Sequence, residues 1–191
     1  HHPEMVRSLI LLVPSPAAEA NFQLTVDLLT SVIALDPEWQ GGRYTHNPIE
    51  GLRLAGMLYY PWAVSAAYLD RISAPRVAKE LERSARSYGS WDANSLVFRY
   101  AASRAHDVAA PFGGDMNTAL SQISAPTLIL PSASDRLLGL DGARRIRDGV
   151  KHASYAEIPS DLGHSAGYAA PETPEGQFID QKIRGFLAKI E

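Results

Sequence analysis

The sequence contains no cysteine among its 191 residues, which excludes disulfide bonds and thiolate metal sites. It has no long run of lysine and arginine that would indicate a membrane surface, and its net charge of -3 at pH 7 gives no indication of nucleic-acid binding. No apolar stretch reaches the roughly 18 residues of a membrane span. The histidines show no metal-ligand spacing such as H-E-x-x-H. These absences predict a cytoplasmic protein that acts on a small molecule, without a bound metal, nucleic acid or membrane.

Three short apolar segments have the form of strands that are buried on both faces of a parallel sheet. They are RSLILLVP (7–14), APTLILP (125–131) and ASYAEIP (153–159), and each one ends at a proline. Helical patterns follow the second and third segments, at 141–150 and 174–190. The succession of strand, helix, strand and helix predicts an α/β fold with three parallel strands and flanking helices.

The long stretch between the first and second strands predicts only helices, and so an all-helical insertion in the α/β fold. We assign 1–16 to a core strand, 17–122 to a helical lid with a return helix, and 123–191 to the rest of the α/β core. The main helices are predicted at 19–35, 51–72, 75–89 and 94–108. Pro61 is expected to kink or divide the second helix. Tyr59 is one of several aromatic residues that either pack within the insertion or line a substrate pocket.

The segment GHSAG at 163–167 has the G-x-S-x-G pattern of serine hydrolase nucleophiles, which makes Ser165 a candidate nucleophile. A nucleophile turn needs a strand directly before the serine and a helix directly after it, whereas here Pro159 ends the strand and SDL intervenes. In α/β hydrolases the chain order is serine, acid and histidine, and no histidine follows His164. We therefore interpret His164 as the functional residue and Ser165 as its neighbour.

His164 lies on a glycine-flanked loop after the third strand, where a catalytic base is expected, although an ordinary loop histidine is the alternative. Asp135 comes shortly after the end of the second strand. A carboxylate there can accept a hydrogen bond from one ring nitrogen and so fix the tautomer in which the other nitrogen accepts a proton. Asp141 is the rival acid, but its place at the start of a helix predicts a capping role. The sequence thus favours Asp135 and His164 as acid and base.

Several segments resemble, in order, the C-terminal part of the homoserine O-acetyltransferases and their relatives in the α/β-hydrolase superfamily. The segments lie at 34–44, 51–60, 91–108, 125–138 and 153–167, and DPEWQGG at 36–42 is the most specific of them. The resemblance implies an α/β-hydrolase core with a helical lid, and a serine nucleophile that carries an acyl group. It also matches Asp135 and His164 to the acid and base of the triad. An acyl-CoA is then a candidate co-substrate, and no bound cofactor is expected.

Two positions depart from the pattern of the relatives that use homoserine. Those proteins usually carry an arginine where Thr30 stands here, and they commonly read GHDAF where this chain reads GHSAG. Ser165 thus replaces an acid and Gly167 an aromatic residue, and both departures remove features expected to hold a charged amino acid. We therefore expect another small ester or alcohol as substrate, with Thr30, Tyr59 and Ser165 as candidate binding residues.

The resemblance further implies that the nucleophile elbow, the oxyanion-hole loop and the first five strands precede residue 1. We therefore expect the chain to need an N-terminal segment of the same fold that carries the serine, and to be inactive alone. The relationship also allows a homodimer formed through the helical lid. The alternative function is a non-catalytic α/β-hydrolase relative that serves as a binding or dimerisation module.

Overall fold

The computed structural model, which describes residues 3–190, contains the three expected strands in one parallel sheet. The central strand β2 (Thr127–Leu130) pairs with β1 (Leu9–Leu12) on one side and with β3 (Ala153–Tyr155) on the other. All four residues of β2 are buried, as its continuous apolar run predicts for a strand that is covered on both faces. The predicted α/β fold is confirmed.

A helical unit, Ala18–His106, is inserted between β1 and β2. Its helices are α1 (Ala20–Ala34), α2 (Ile49–Ala63), α3 (Ala66–Arg71), α4 (Ala74–Gly89) and α5 (Ala93–Arg104). Pro61 lies in the last turn of α2, which ends at Ala63, so the division predicted for 51–72 is present. A proline lacks the backbone N–H that would bond to the carbonyl four residues earlier, so Pro61 weakens the last turn of α2. The unit has its own core, formed by Val26, Leu29, Ile33, Leu52 and Leu96.

The segments up to Ala17 and from Asp107 onward form the α/β unit. Its helices are α6 (Met116–Ser121), α7 (Asp141–Gly149) and α8 (Pro174–Leu187). Successive side chains of β2 point to opposite faces of the sheet. Leu128 and Leu130 pack in a cluster with residues of α8, whereas Ile129 packs in another with residues of α6 and α7. The sheet is thus covered by helices on both faces.

The observed units differ in extent from the segments assigned by sequence. Residues 107–122, which the sequence assigns to the helical segment 17–122, belong to the α/β unit. His1, His2 and Glu191, which the assigned segments include, lie outside the described residues. Within 3–190, no helix combines the length and the hydropathy needed to cross a membrane.

Candidate functional site

The candidate acid and base lie in the loops that follow β2 and β3. Because the strands are parallel, these loops leave the same edge of the sheet. Asp135 lies in the loop after β2, and His164 lies in a short 3₁₀ helix, Gly163–Tyr168, beyond β3. Backbone pairing continues past the strands, since the N–H of Ile158 donates to the carbonyl of Pro131 over 2.8 Å. The fold therefore brings the two loops together.

Asp135 and His164 form a buried hydrogen-bonded pair. The distance from His164 Nδ1 to Asp135 Oδ2 is 2.8 Å, and the side chains are 9% and 1% exposed, respectively. The other carboxylate oxygen, Oδ1, accepts the backbone N–H groups of Leu137 at 2.8 Å and Leu138 at 3.0 Å. A carboxylate only accepts hydrogen bonds, so Nδ1 is the donor and, in the neutral ring, Nε2 is the acceptor. Among the described residues, none hydrogen-bonds to Nε2, which leaves this nitrogen able to accept a proton.

Asp141 is not the partner of His164. Its side chain is 86% exposed and its carboxylate lies 3.8 Å from Nη1 of Arg144. The expected capping role is wrong, because Leu140 occupies the N-cap position of α7 and Asp141 is the first helical residue. A carboxylate in the first turn still interacts favourably with the helix dipole. The geometry therefore pairs His164 with Asp135.

Ser165 follows His164 within the 3₁₀ helix, and it is partly buried. Residues 156–162 separate this helix from β3. A nucleophile elbow presents its serine at a sharp turn from a strand directly into a helix. The surroundings of Ser165 lack that arrangement, so the local fold favours its interpretation as a neighbour of the candidate base, His164.

The structure brings Asp135, His164 and Ser165 together in the α/β unit, whereas Thr30 and Tyr59 belong to the helical unit. The Thr30 hydroxyl lies 3.0 Å from the carbonyl oxygen of Val26, one turn earlier in α1. The ring of Tyr59 lies 5.6 Å from that of Tyr88, centroid to centroid. Burial raises the pKa of Tyr88 well above its usual range, which indicates an apolar environment at that contact. The substrate-binding roles of Thr30 and Tyr59 stay predictions.

Two residues that the sequence did not single out lie beside Asp135 and His164. The Ser134 hydroxyl donates to the carbonyl of Ser160 over 2.6 Å and accepts the N–H of Gly163 over 3.0 Å. The ring of Tyr168 lies 5.8 Å from the imidazole of His164, centroid to centroid, and Tyr168 is 74% exposed. In the sequence, these two residues are marked only by their closeness to the candidate pair. Ser134 directly precedes Asp135, and Tyr168 follows His164 by about one turn of helix.

Gly167 permits a close approach between the 3₁₀ helix that carries His164 and the end of β1. Val13, directly after β1, is buried and has φ of 44°, a conformation that β-branched residues rarely adopt. Its N–H donates to the carbonyl of Leu130 over 2.9 Å, which holds the backbone in place. A Cβ atom added to Gly167 would lie 2.7 Å from Cγ2 of Val13. Only glycine fits at position 167 without displacing Val13.

Gly167→Ala is expected to lower the free energy of unfolding by about 1–3 kcal/mol, because its methyl group overlaps the Val13 side chain. Adding Val13→Ala opens space for that methyl group, so the double variant should be more stable than the sum of the single costs predicts. Urea unfolding of the protein that contains this chain measures both effects. Gly185→Ala is the matched control, since nothing lies within 4 Å of its added Cβ. A Gly167→Ala protein as stable as the control would contradict the close approach.

Comparisons with known proteins agree with the resemblance seen in the sequence. No protein-family model matches the chain. The homoserine O-succinyltransferase of Laribacter hongkongensis (strain HLHK9) is 30% identical, over 86% of this chain and 49% of that protein. The crystal structure of homoserine O-acetyltransferase from Bacillus anthracis is 27% identical, with a TM-score of 0.81 over 95% of this chain and 54% of that one. An acetylester hydrolase from Corynebacterium glutamicum, 18% identical, shows the same fold, with a TM-score of 0.81 over 95% of this chain and 55% of that one.

The chain spans about half the length of the curated relatives it matches. Within that span the similarity extends over nearly the whole chain, in sequence and in structure alike. The parallel sheet and the helices on its two faces are the corresponding part of the α/β-hydrolase architecture. By sequence and by fold, the chain is therefore a homologue of the homoserine O-acyltransferases within the α/β-hydrolase superfamily, and it corresponds to about half of such a protein.

Proposed function

We propose that the protein is an acyl-transfer enzyme that works through a serine acyl-enzyme, to which this chain supplies Asp135 as acid and His164 as base. The carrying observation is the buried 2.8 Å hydrogen bond between Asp135 Oδ2 and His164 Nδ1 in the loops after β2 and β3. In the triad of serine hydrolases, a carboxylate holds a histidine in this way, and the histidine takes the proton of the nucleophilic serine. The names of the relatives, homoserine O-acyltransferases and an acetylester hydrolase, support the same class of reaction.

In the proposed mechanism the nucleophile is a serine outside these 191 residues. Its oxygen attacks the acyl carbonyl of the donor while Nε2 of His164 takes the hydroxyl proton. The bond from the acyl carbon to the leaving group breaks, and the leaving group takes that proton from Nε2. An acceptor hydroxyl or water then gives its proton to Nε2 and attacks the carbonyl of the acyl-serine ester. The bond from the acyl carbon to the serine oxygen breaks, and Nε2 returns the proton to that oxygen, which regenerates the serine hydroxyl and the neutral imidazole. Asp135 stays ionised throughout and stabilises the charged imidazolium.

An acyl-CoA or a simple ester is the proposed acyl donor, and a small alcohol or water is the acceptor. The resemblance to the homoserine-using relatives implies that Ser165, directly beside the base, stands where an acid is common, and that Gly167 stands where an aromatic residue is common. The Val13 side chain lies against Gly167. With serine in place of the acid and glycine in place of the aromatic ring, the site lacks the negative charge and the bulky side chain that we expect to hold an amino-acid acceptor.

We expect the protein to use simple acyl esters, or an alcohol other than homoserine, with a kcat/KM about 100-fold above that for homoserine. Lost polar contacts to one substrate produce discrimination on this order. Steady-state rates with 4-nitrophenyl acetate and with homoserine plus acetyl-CoA or succinyl-CoA measure the ratio. A higher kcat/KM for homoserine would mean that other residues hold its charged groups.

Trapping the acyl-enzyme tests the proposed function directly. The protein that contains this chain is quenched during turnover of a slow ester, and the acylated peptide is identified by mass spectrometry. We expect the acyl group on a serine outside this chain and no trapped acyl group in the His164→Ala protein. An absence of both turnover and adduct in the unmodified protein would favour the binding or dimerisation module instead.

A further inference from the structure

The acid loop and the base loop are joined by a second link besides the Asp135–His164 pair. The hydroxyl of Ser134 donates to the backbone carbonyl of Ser160 over 2.6 Å and accepts the backbone N–H of Gly163 over 3.0 Å. Ser134 immediately precedes the acid, and Gly163 immediately precedes the base. One side chain thus fixes the backbone next to both catalytic groups.

Ser160, whose carbonyl accepts the hydrogen bond from Ser134, is itself held in place by hydrogen bonds. The hydroxyl of Ser160 accepts the N–H of Leu162 over 3.0 Å and donates to Oε1 of Glu175 over 2.7 Å. Glu175 lies in the first turn of α8, which packs on the sheet. Ser134 therefore connects the base loop to a segment that is held by a helix, and movement of that loop requires breaking several hydrogen bonds.

The position of His164 depends on the hydrogen bond between the N–H of Gly163 and the hydroxyl of Ser134. Gly163 is buried, and it adopts φ of 62°, in the left-handed region where glycine is favoured. A buried N–H without a partner costs about 1–3 kcal/mol, so loss of the Ser134 oxygen favours a rearranged loop. Because Gly163 and His164 share a peptide bond, such a rearrangement turns the imidazole relative to Asp135.

We propose that Ser134 is a positioning residue for the reaction, which holds Gly163 and thereby keeps His164 aligned with Asp135. The inference rests on the proposed function, since it assigns a role only if His164 is the base. A hydroxyl both donates and accepts, so serine and threonine satisfy both backbone groups and alanine satisfies neither. Misplacement of a catalytic group by about 1 Å can cost on the order of 100-fold in rate.

The test compares Ser134→Ala and Ser134→Thr in the protein that contains this chain, with 4-nitrophenyl acetate as substrate. We expect Ser134→Ala to lower kcat by about 10- to 100-fold with little change in KM, and Ser134→Thr to restore most of the loss. In proton NMR, the low-field signal of the His164 Nδ1 proton should shift in the alanine variant and return in the threonine variant. Ser121→Ala is the matched control, because the hydroxyl of Ser121 also donates to a backbone carbonyl, that of Thr118, over 2.8 Å.

A Ser134→Ala protein with unchanged kcat overturns the inference, and so does a threonine variant that is as slow as the alanine variant. Thermal unfolding midpoints are measured alongside, and kcat and midpoint falling together without rescue by threonine also overturns it. The His164→Ala protein separates this inference from the proposed function. If His164→Ala is inactive and Ser134→Ala is not, only the positioning role fails, whereas an active His164→Ala protein removes the base assignment itself.

Discussion

Replacing His164 with alanine is expected to lower kcat by about 10⁴- to 10⁶-fold, because in the proposed mechanism the serine nucleophile loses the group that accepts its proton. The hydrogen bond from Nδ1 to Asp135 leaves Nε2 as the proton acceptor, and alanine offers no substitute. Ester hydrolysis by the protein that contains this chain gives kcat for both forms. A thermal unfolding midpoint near that of the unmodified protein shows that the loss comes from chemistry and not from unfolding.

Ser165→Ala is the matched control for that experiment, since Ser165 is the next residue in the same 3₁₀ helix. The variant should keep most of the activity, with changes confined to KM if Ser165 contacts the substrate. If Ser165→Ala were as inactive as His164→Ala, and if the trapped acyl group lay on Ser165, then GHSAG would be the nucleophile motif and the proposed assignment would be wrong.

The sequence was sufficient to predict the strands and the proximity of Asp135 to His164. Apolar runs that end at proline mark strands, and β1, β2 and β3 lie within the three segments that show this pattern. The expected burial on both faces is found for β2, whereas β1 and β3 are partly exposed. In a parallel sheet the loops at the carboxyl ends of strands meet at one edge. Two side chains that follow neighbouring strands, Asp135 and His164, could therefore be expected to lie together, and they are hydrogen-bonded.

The supporting contacts could not be predicted, because they join backbone groups and side chains that are distant in the sequence. Nothing in the residues around Ser134 indicates that its hydroxyl binds the N–H of Gly163. Val13 and Gly167 lie near opposite ends of the chain, and their close approach depends on the strained φ of Val13. Helix ends are similarly imprecise in sequence, which is why Asp141 was expected at the cap and lies one residue inside α7.

The roles of Thr30 and Tyr59 illustrate a different limit. Their helices were predictable from apolar spacing, and both residues lie in helices as expected. The Thr30 hydroxyl bonds to carbonyls within its own helix, and Tyr59 packs beside Tyr88. Helical spacing reports which face of a helix is apolar, but it carries no information about which ligand that face contacts. Substrate binding by Thr30 and Tyr59 therefore stays a prediction, which measurements of substrate specificity can test.

Asp135→Asn is expected to lower kcat by about 10⁴-fold, the size of the loss when the corresponding acid of a serine protease is replaced. The carboxylate holds Nδ1 of His164 as a donor at 2.8 Å, and its other oxygen is fixed by the N–H groups of Leu137 and Leu138. The amide keeps the shape of the side chain, but its NH₂ group can donate to Nδ1 and stabilise the tautomer in which Nε2 carries the proton. Nε2 then cannot accept the proton of the serine.

The Asp135→Asn/His164→Ala double variant should be no slower than His164→Ala alone, because the acid acts only through the base. Ester hydrolysis rates of the single and double variants measure this overlap, and Asp141→Asn is the matched control, since that carboxylate lies exposed in the first turn of α7. The control should keep the activity of the unmodified protein. Losses that multiply in the double variant would show that Asp135 acts independently of His164, and an Asp141→Asn protein as slow as Asp135→Asn would reopen the choice of acid.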